Sequence, residues 1–165
     1  MHDPRLDRLA EVLVGHSTKI KEDEAVLIET FDIPEEMVIA LIRAVRRAGG
    51  RPLVELKRNR IQRELIVGGD VENMRLAGEC EAYRMQRVQA YIALRGSGNI
   101  AEMSDVAPDR MEAYESGWLK PVHFDIRVPK TKWVVLRWPS SAMAQQAGKS
   151  TEAFEDFYFD VCTLD

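Results

Sequence analysis

Ala25-Val26-Leu27-Ile28-Glu29-Thr30 is short, apolar and rich in branched side chains, the composition of a strand buried in a sheet. It follows a polar break, Lys21-Glu22-Asp23-Glu24. Before that break Leu6, Leu9, Ala10 and Leu13 share one helical face, with Asp3 placed to cap and Pro4 at the first helical position. Beyond the strand, Asp32 and Pro34 open a helix through Met37, Val38, Leu41, Val45 and Ala48, stopped by Gly49-Gly50. The alternation continues. Leu53 to Leu56 reads as a second strand, Ile61 to Val67 as a short helix, and Gly68-Gly69-Asp70 as a turn capping a helix from Val71 to Val88. Ala90 to Leu94 is a third strand, Pro108 starts a helix bearing Met111, Tyr114 and Trp118, and Trp133 to Leu136 is a fourth strand before Pro139. Two short helices follow, Ala142 to Ala147 and, capped by Ser150, Thr151 onward. Strands separated by helices require crossover connections, which set neighbouring strands parallel. The sequence therefore predicts a single α/β domain over residues 1–165, with a mainly parallel sheet of about four strands and helices on both faces.

The bulk composition agrees. A chain of 165 residues can bury one domain-sized core, and 45% apolar with 30% charged residues is ordinary for a folded protein. A net charge of -4 provides no general attraction to nucleic acid or anionic lipid. One basic stretch, Arg43, Arg46, Arg47, Arg51, Lys57, Arg58, Arg60 and Arg63, reads as a solvated helix face and loop, with RNA or DNA binding as the alternative. Cys80 and Cys162 are far apart, which gives no disulfide framework and suits a reducing compartment. Met1-His2-Asp3-Pro4-Arg5 lacks the apolar core of a signal peptide, and no run is long enough to span a membrane, so a cytoplasmic protein is expected.

Open α/β sheets bind ligands at the carboxyl ends of their strands, which directs attention to the loops after Thr30, Arg58, Leu94 and Trp138. The third contains Gly96-Ser97-Gly98-Asn99-Ile100-Ala101, a match to G-x-G-x-x-A. No helix starts there to present N–H groups to a phosphate, and the next strand ends in Arg137-Trp138 instead of an acid; a surface loop is the preferred reading and nucleotide binding the alternative. His2, His16 and His123 lack the H-E-x-x-H spacing, and His123-Phe124-Asp125 supplies two of the three or four ligands zinc needs. Glu152, Glu155, Asp156 and Asp160 are expected on a solvated helix face opposite Phe157. There is no G-x-S-x-G elbow, and neither cysteine has the context of a nucleophile. Trp118, Trp133 and Trp138 are expected to fill core or interface space. From the residues alone, no catalytic or metal-binding residue is assigned and substrate-binding residues stay unknown.

The last helix sets Phe154, Phe157, Tyr158, Val161 and Cys162 at the spacing of a buried face, yet Leu164-Asp165 carries no stop signal, so the helix reads as interrupted. Across the C-terminal third, Trp133-Val134-Val135-Leu136-Arg137-Trp138-Pro139, Ser140 to Gly148, and Ser150-Thr151-Glu152-Ala153-Phe154-Glu155-Asp156-Phe157-Tyr158-Phe159 resemble the thermophilic metalloaminopeptidase family that includes aminopeptidases T and S. Asp3-Pro4-Arg5-Leu6, Val26-Leu27-Ile28-Glu29 and Ser104-Asp105-Val106 also stand in that family's order. The resemblance implies the N-terminal portion of a larger two-domain enzyme that removes N-terminal residues from peptides. It implies two divalent metal ions (zinc, cobalt or manganese) held by a C-terminal catalytic domain, with no cofactor in this chain. It further implies a homodimer in which this portion encloses the active-site cavity or assists assembly. A free-standing, non-catalytic binding or assembly module of the same fold is the alternative.

Overall fold

The computed structural model describes residues 3–163; His2 and Leu164-Asp165, and with them the missing stop signal read at the end of the sequence, lie outside the described residues. Four parallel strands form one sheet in the order β2-β1-β3-β4: β1 Ala25–Phe31, β2 Arg51–Lys57, β3 Ala90–Arg95 and β4 Lys132–Arg137. The α/β fold and parallel sheet read from the sequence are present. β1 and β3 are central, and Val26, Ile28, Ile92 and Leu94 are fully buried, which is why these two strands read as near-continuous apolar runs. β2 is an edge strand and leaves Leu53, Val54 and Leu56 exposed.

Successive side chains of a strand point to opposite faces, and the two faces are built differently. On the first, Val26, Ile28, Ala90, Ile92 and Leu94 pack against α1 Pro4–Glu11, α2 Glu35–Arg47 and Tyr158 and Phe159 of α8 Thr151–Cys162. Asp3 caps α1 as expected: its carboxylate accepts from the Arg5 N–H at 2.9 Å. α2 ends at Ala48, and Gly49 takes φ +80, the left-handed conformation that closes helices.

On the second face, Leu27, Tyr91 and Ala93 meet Met74 and Met85 of α4 Val71–Met85 and Trp118, Val122 and Ile126 of the segment after β3. That segment differs from expectation. α5 Pro108–Tyr114 continues without a break into wider π-helical turns over Glu115–Arg127 and then α6 Val128–Lys130. Gly117, Pro121 and Pro129 disguise it in the sequence, but π turns accommodate a proline by re-spacing the backbone ladder. Gly78 of α4 and Gly117 face each other so closely that a Cβ at Gly78 would lie 2.2 Å from the Gly117 carbonyl oxygen. α3 Asn59–Gly68, α7 Ser141–Gln146 and the π-helical turn Val12–Ser17 that prolongs α1 complete the described elements.

α8 is rotated relative to the sequence-based expectation. Tyr158 and Phe159 are buried while Phe157 and Val161 are exposed. Trp138 decides the rotation, because its ring packs edge-on against both Tyr158 and Phe159, at 6.3 and 6.0 Å. Trp118 is buried as expected, and Trp133 is exposed on the edge strand. Among the described residues, no helix is long and apolar enough to cross a membrane.

Candidate functional site

β1 connects to β2 on one side and β3 pairs on the other, so the sheet order reverses between β1 and β3, the position where open α/β sheets place ligands. Three of the four loops singled out in the sequence meet there. Asp32, directly after β1, is held at φ +47, an uncommon conformation for a residue with a side chain. Its carboxylate accepts from the Asn59 backbone N–H at 2.9 Å and from the Asn59 amide at 2.7 Å, and that amide also donates to the Gly96 carbonyl at 2.8 Å. Gly96 in turn donates to the Phe31 carbonyl at 2.8 Å, and a Cβ there would lie 2.6 Å from the Asp32 carbonyl oxygen. The glycine is required by this close approach of backbones.

Outside this knot lies an open cleft of about 900 Å³, lined by Arg58, Arg60, Arg63, Ser97, Asn99 and Glu102 among others. Three arginines face three acids, Asp32, Glu64 and Glu102, so the lining has no excess charge to select an anion. Ile100 to Asp105 form turns, and Ser97 and Asn99 bond back onto their own loop. The loop is therefore a self-closed surface turn.

On the second sheet face is a cluster of buried and half-buried charges that no local spacing announced. β1 contributes Glu29, β2 Glu55 and Lys57, β3 Tyr91 and Arg95, α4 Glu81 and Arg84, and the π-helical segment Arg127. The Lys57 ammonium stands 3.0 Å from Glu29 and 3.8 Å from Glu55, and it contacts Glu81 directly. Tyr91 donates to Glu29 at 2.6 Å, Arg84 pairs with Glu55, and Arg127 lies 3.7 Å from Glu29. Glu29 and Arg127 are only 2% and 3% exposed, so neither charge could stand there alone. Within the basic stretch read as solvated surface, Lys57 instead points inward: residues 55 and 57 share the face of β2 that meets Glu81 and Arg84 of α4.

The protonation states follow from this geometry. Burial alone would raise the Glu29 carboxyl, but Lys57, Arg127 and the Tyr91 hydroxyl outweigh it and hold the group below its ordinary value. Burial alone would lower Lys57, yet Glu29, Glu81 and Glu55 hold the ammonium above its ordinary value. Burial pushes Glu55 up, with help from neighbouring Glu81 and Glu29, beyond what Lys57 and Arg84 offset. His123 accepts at Nδ1 from Arg127, 3.3 Å away, which assigns its proton to Nε2; burial and the charges of Arg127 and Arg95 lower its value.

The remaining candidates do not converge. His16 is exposed and Asp125 faces Lys120 at 3.5 Å, and among the described residues neither Asp125 nor His123 belongs to a convergent group of three metal-type side chains. Glu152, Asp156 and Asp160 are exposed and Glu155 half-buried, with Asp156 engaged by Arg5 at 2.7 Å. Cys80 is exposed and Cys162 half-buried.

Sheet order and crossover helices define a parallel α/β domain. The profile of the thermophilic metalloprotease (M29) family matches residues 2–165, and the chain belongs to that family. AmpT of Thermus thermophilus, an aminopeptidase T, shares the fold with a TM-score of 0.73 and 16% identity, over 97% of this chain and 43% of the AmpT chain. This chain therefore spans less than half the length of that relative. A protein described as a LacI-family transcription repressor from Corynebacterium glutamicum (TM-score 0.42, 10% identity, 96% of this chain and 55% of that one) is too remote to carry an argument. The same holds for an alcohol dehydrogenase superfamily protein from Novosphingobium aromaticivorans (TM-score 0.38, 12% identity, 96% and 48%). No curated protein matches the chain.

A metalloprotease family implies a divalent metal. Among the described residues, one group of three metal-type side chains converges: Glu29, Glu55 and Glu81, with ligand oxygens within 4.8 Å of one another. The group does not fit an ion, because the Lys57 ammonium contacts all three carboxylates and Arg127 and Arg84 flank them.

Proposed function

We propose that this chain is the N-terminal domain of a dinuclear metal-dependent aminopeptidase. The two divalent ions, zinc, cobalt or manganese, belong to a C-terminal domain beyond these residues. The present domain covers the active-site cavity or assists assembly, and catalyses nothing by itself. In this reading the whole protein removes N-terminal residues from peptides in the cytoplasm as a homodimer.

The observation that carries the proposal is the combination of a family match over residues 2–165 with coverage of only 43% of AmpT. The lysine-filled carboxylate cluster supports it, since hydrolysis by a metal-bound water needs an open coordination position. The test is a paired assay on leucyl substrates with added cobalt, zinc or manganese. A longer reading frame containing these residues should turn over in a metal-dependent way, and the 165-residue chain should not. Metal-dependent turnover by the isolated chain would overturn the proposal; inactivity of both would favour a non-catalytic assembly module.

A further inference from the structure

We propose that Lys57 is the resident cation of a carboxylate cage, occupying the place of a divalent ion among Glu29, Glu55 and Glu81. On this assignment the domain folds without metal and becomes a cation site only when the lysine side chain is removed.

Three carboxylates whose oxygens lie within 4.8 Å of one another repel strongly and cannot all stay ionised in a half-buried setting without a cation between them. A primary ammonium offers three donors and no acceptor, which matches three carboxylates. Lys57 reaches all of them, and the stem is tethered in β2, whose register against β1 sets Glu55 beside Glu29 and Lys57 beside Phe31. The aromatic rings of Phe31 and Trp118 sit 5.7 and 5.6 Å from the ammonium, which favours an organic cation over a hydrated metal. The adjoining cavity, bordered by Glu29, Lys57, Glu81 and Arg127, measures about 20 Å³. That is room for about one water, so a metal ion with its retained waters cannot sit beside the lysine. The all-oxygen donor set would suit a hard ion such as calcium or manganese, and it lacks the imidazole and thiolate groups that zinc prefers.

The proposal concerns this chain's own side chains and does not depend on peptidase activity. The chain, freed of metal with a chelator, is titrated with manganese while the free-ion magnetic resonance signal is followed. The expected result is no binding that Glu81→Gln abolishes. A stoichiometric site in the unmodified chain that disappears in Glu81→Gln would overturn the proposal. In Lys57→Met, melting in chelator should occur at lower temperature, and calcium or manganese should restore part of the loss. The flanking Arg84 and Arg127 weaken such a site, so dissociation constants on the order of 10⁻³ M are expected. The restoration should vanish in Lys57→Met combined with Glu29→Gln, and a folded Lys57→Met chain indifferent to both ions would contradict the latent site. The titration of the unmodified chain decides the main assignment even where Lys57→Met does not fold.

Discussion

The two faces of the sheet draw alternate residues from the same strands yet are held by different forces. Val26, Ile28, Ile92 and Leu94 on the first face bury hydrocarbon against α1, α2 and α8. Glu29, Lys57, Tyr91 and Arg127 on the second join apolar Leu27, Met74 and Trp118 to a network of charges. Hydrocarbon packing is non-directional and tolerates changes that keep volume. A buried ion-pair network does not, because removing one charge leaves its partner uncompensated. Single isosteric changes should therefore separate the two faces sharply.

The largest effect is therefore expected from Glu29→Gln, which keeps shape but removes the charge shared by Lys57 and Arg127. A loss of about 3–5 kcal/mol in urea denaturation is expected. Its neighbour on the other face, Ile28→Leu, should cost less than about 1.5 kcal/mol. Equal costs would erase the distinction. Gly78→Ala tests the helical layer that holds the charged face: its Cβ would collide with the Gly117 carbonyl, and a loss of about 1–3 kcal/mol is expected in thermal melting.

Acid and base should also act through the charged face. Glu29 is held low, so its contribution is present above the ordinary carboxylate range and is lost as pH falls through its folded value. His123 is also held low, so the unfolded chain takes up its proton first and stability begins to decline below about pH 6.5. Lys57 is held high; its contribution is complete below about pH 10.4 and is lost as pH rises through the folded value. Melting temperature followed against pH should show this plateau, with the shallow decline near neutrality removed in His123→Asn. The smallest effect belongs to the exposed α8 carboxylates: Glu152→Gln and Asp160→Asn should each stay within about 0.5 kcal/mol of the unmodified chain.

What the sequence disclosed divides along the same line. β1 and β3 are near-continuous apolar runs because both faces of the inner strands are covered, and glycine or proline marks the turns that follow them, so the strand-helix alternation is legible. The charged cluster was not, because Glu29, Glu55, Lys57, Glu81 and Arg127 come from four separate elements and meet only through strand register and helix packing. Two faint signals existed: Glu29 interrupts an apolar run, and Glu55 and Lys57 alternate with Val54 and Leu56 in a strand. The length of the helix from Pro108 to Lys130 is not legible because Gly117 and Pro121 ordinarily end helices, whereas here π turns absorb the proline and the glycine admits α4. The rotation of α8 depends on Trp138, a contact made outside the helix itself. The rule for strand ends points to the loops that border the crevice, and Gly96 in one of them admits the close approach of the backbone that follows β1.

The most direct test of a charge-locked face is a double-mutant cycle on Glu29→Gln and Lys57→Met, measured by urea denaturation at neutral pH. The account predicts strong coupling, with the double variant losing at least about 1.5 kcal/mol less than the sum of the single losses. Additive losses would show that the two charges do not depend on each other and would contradict the account.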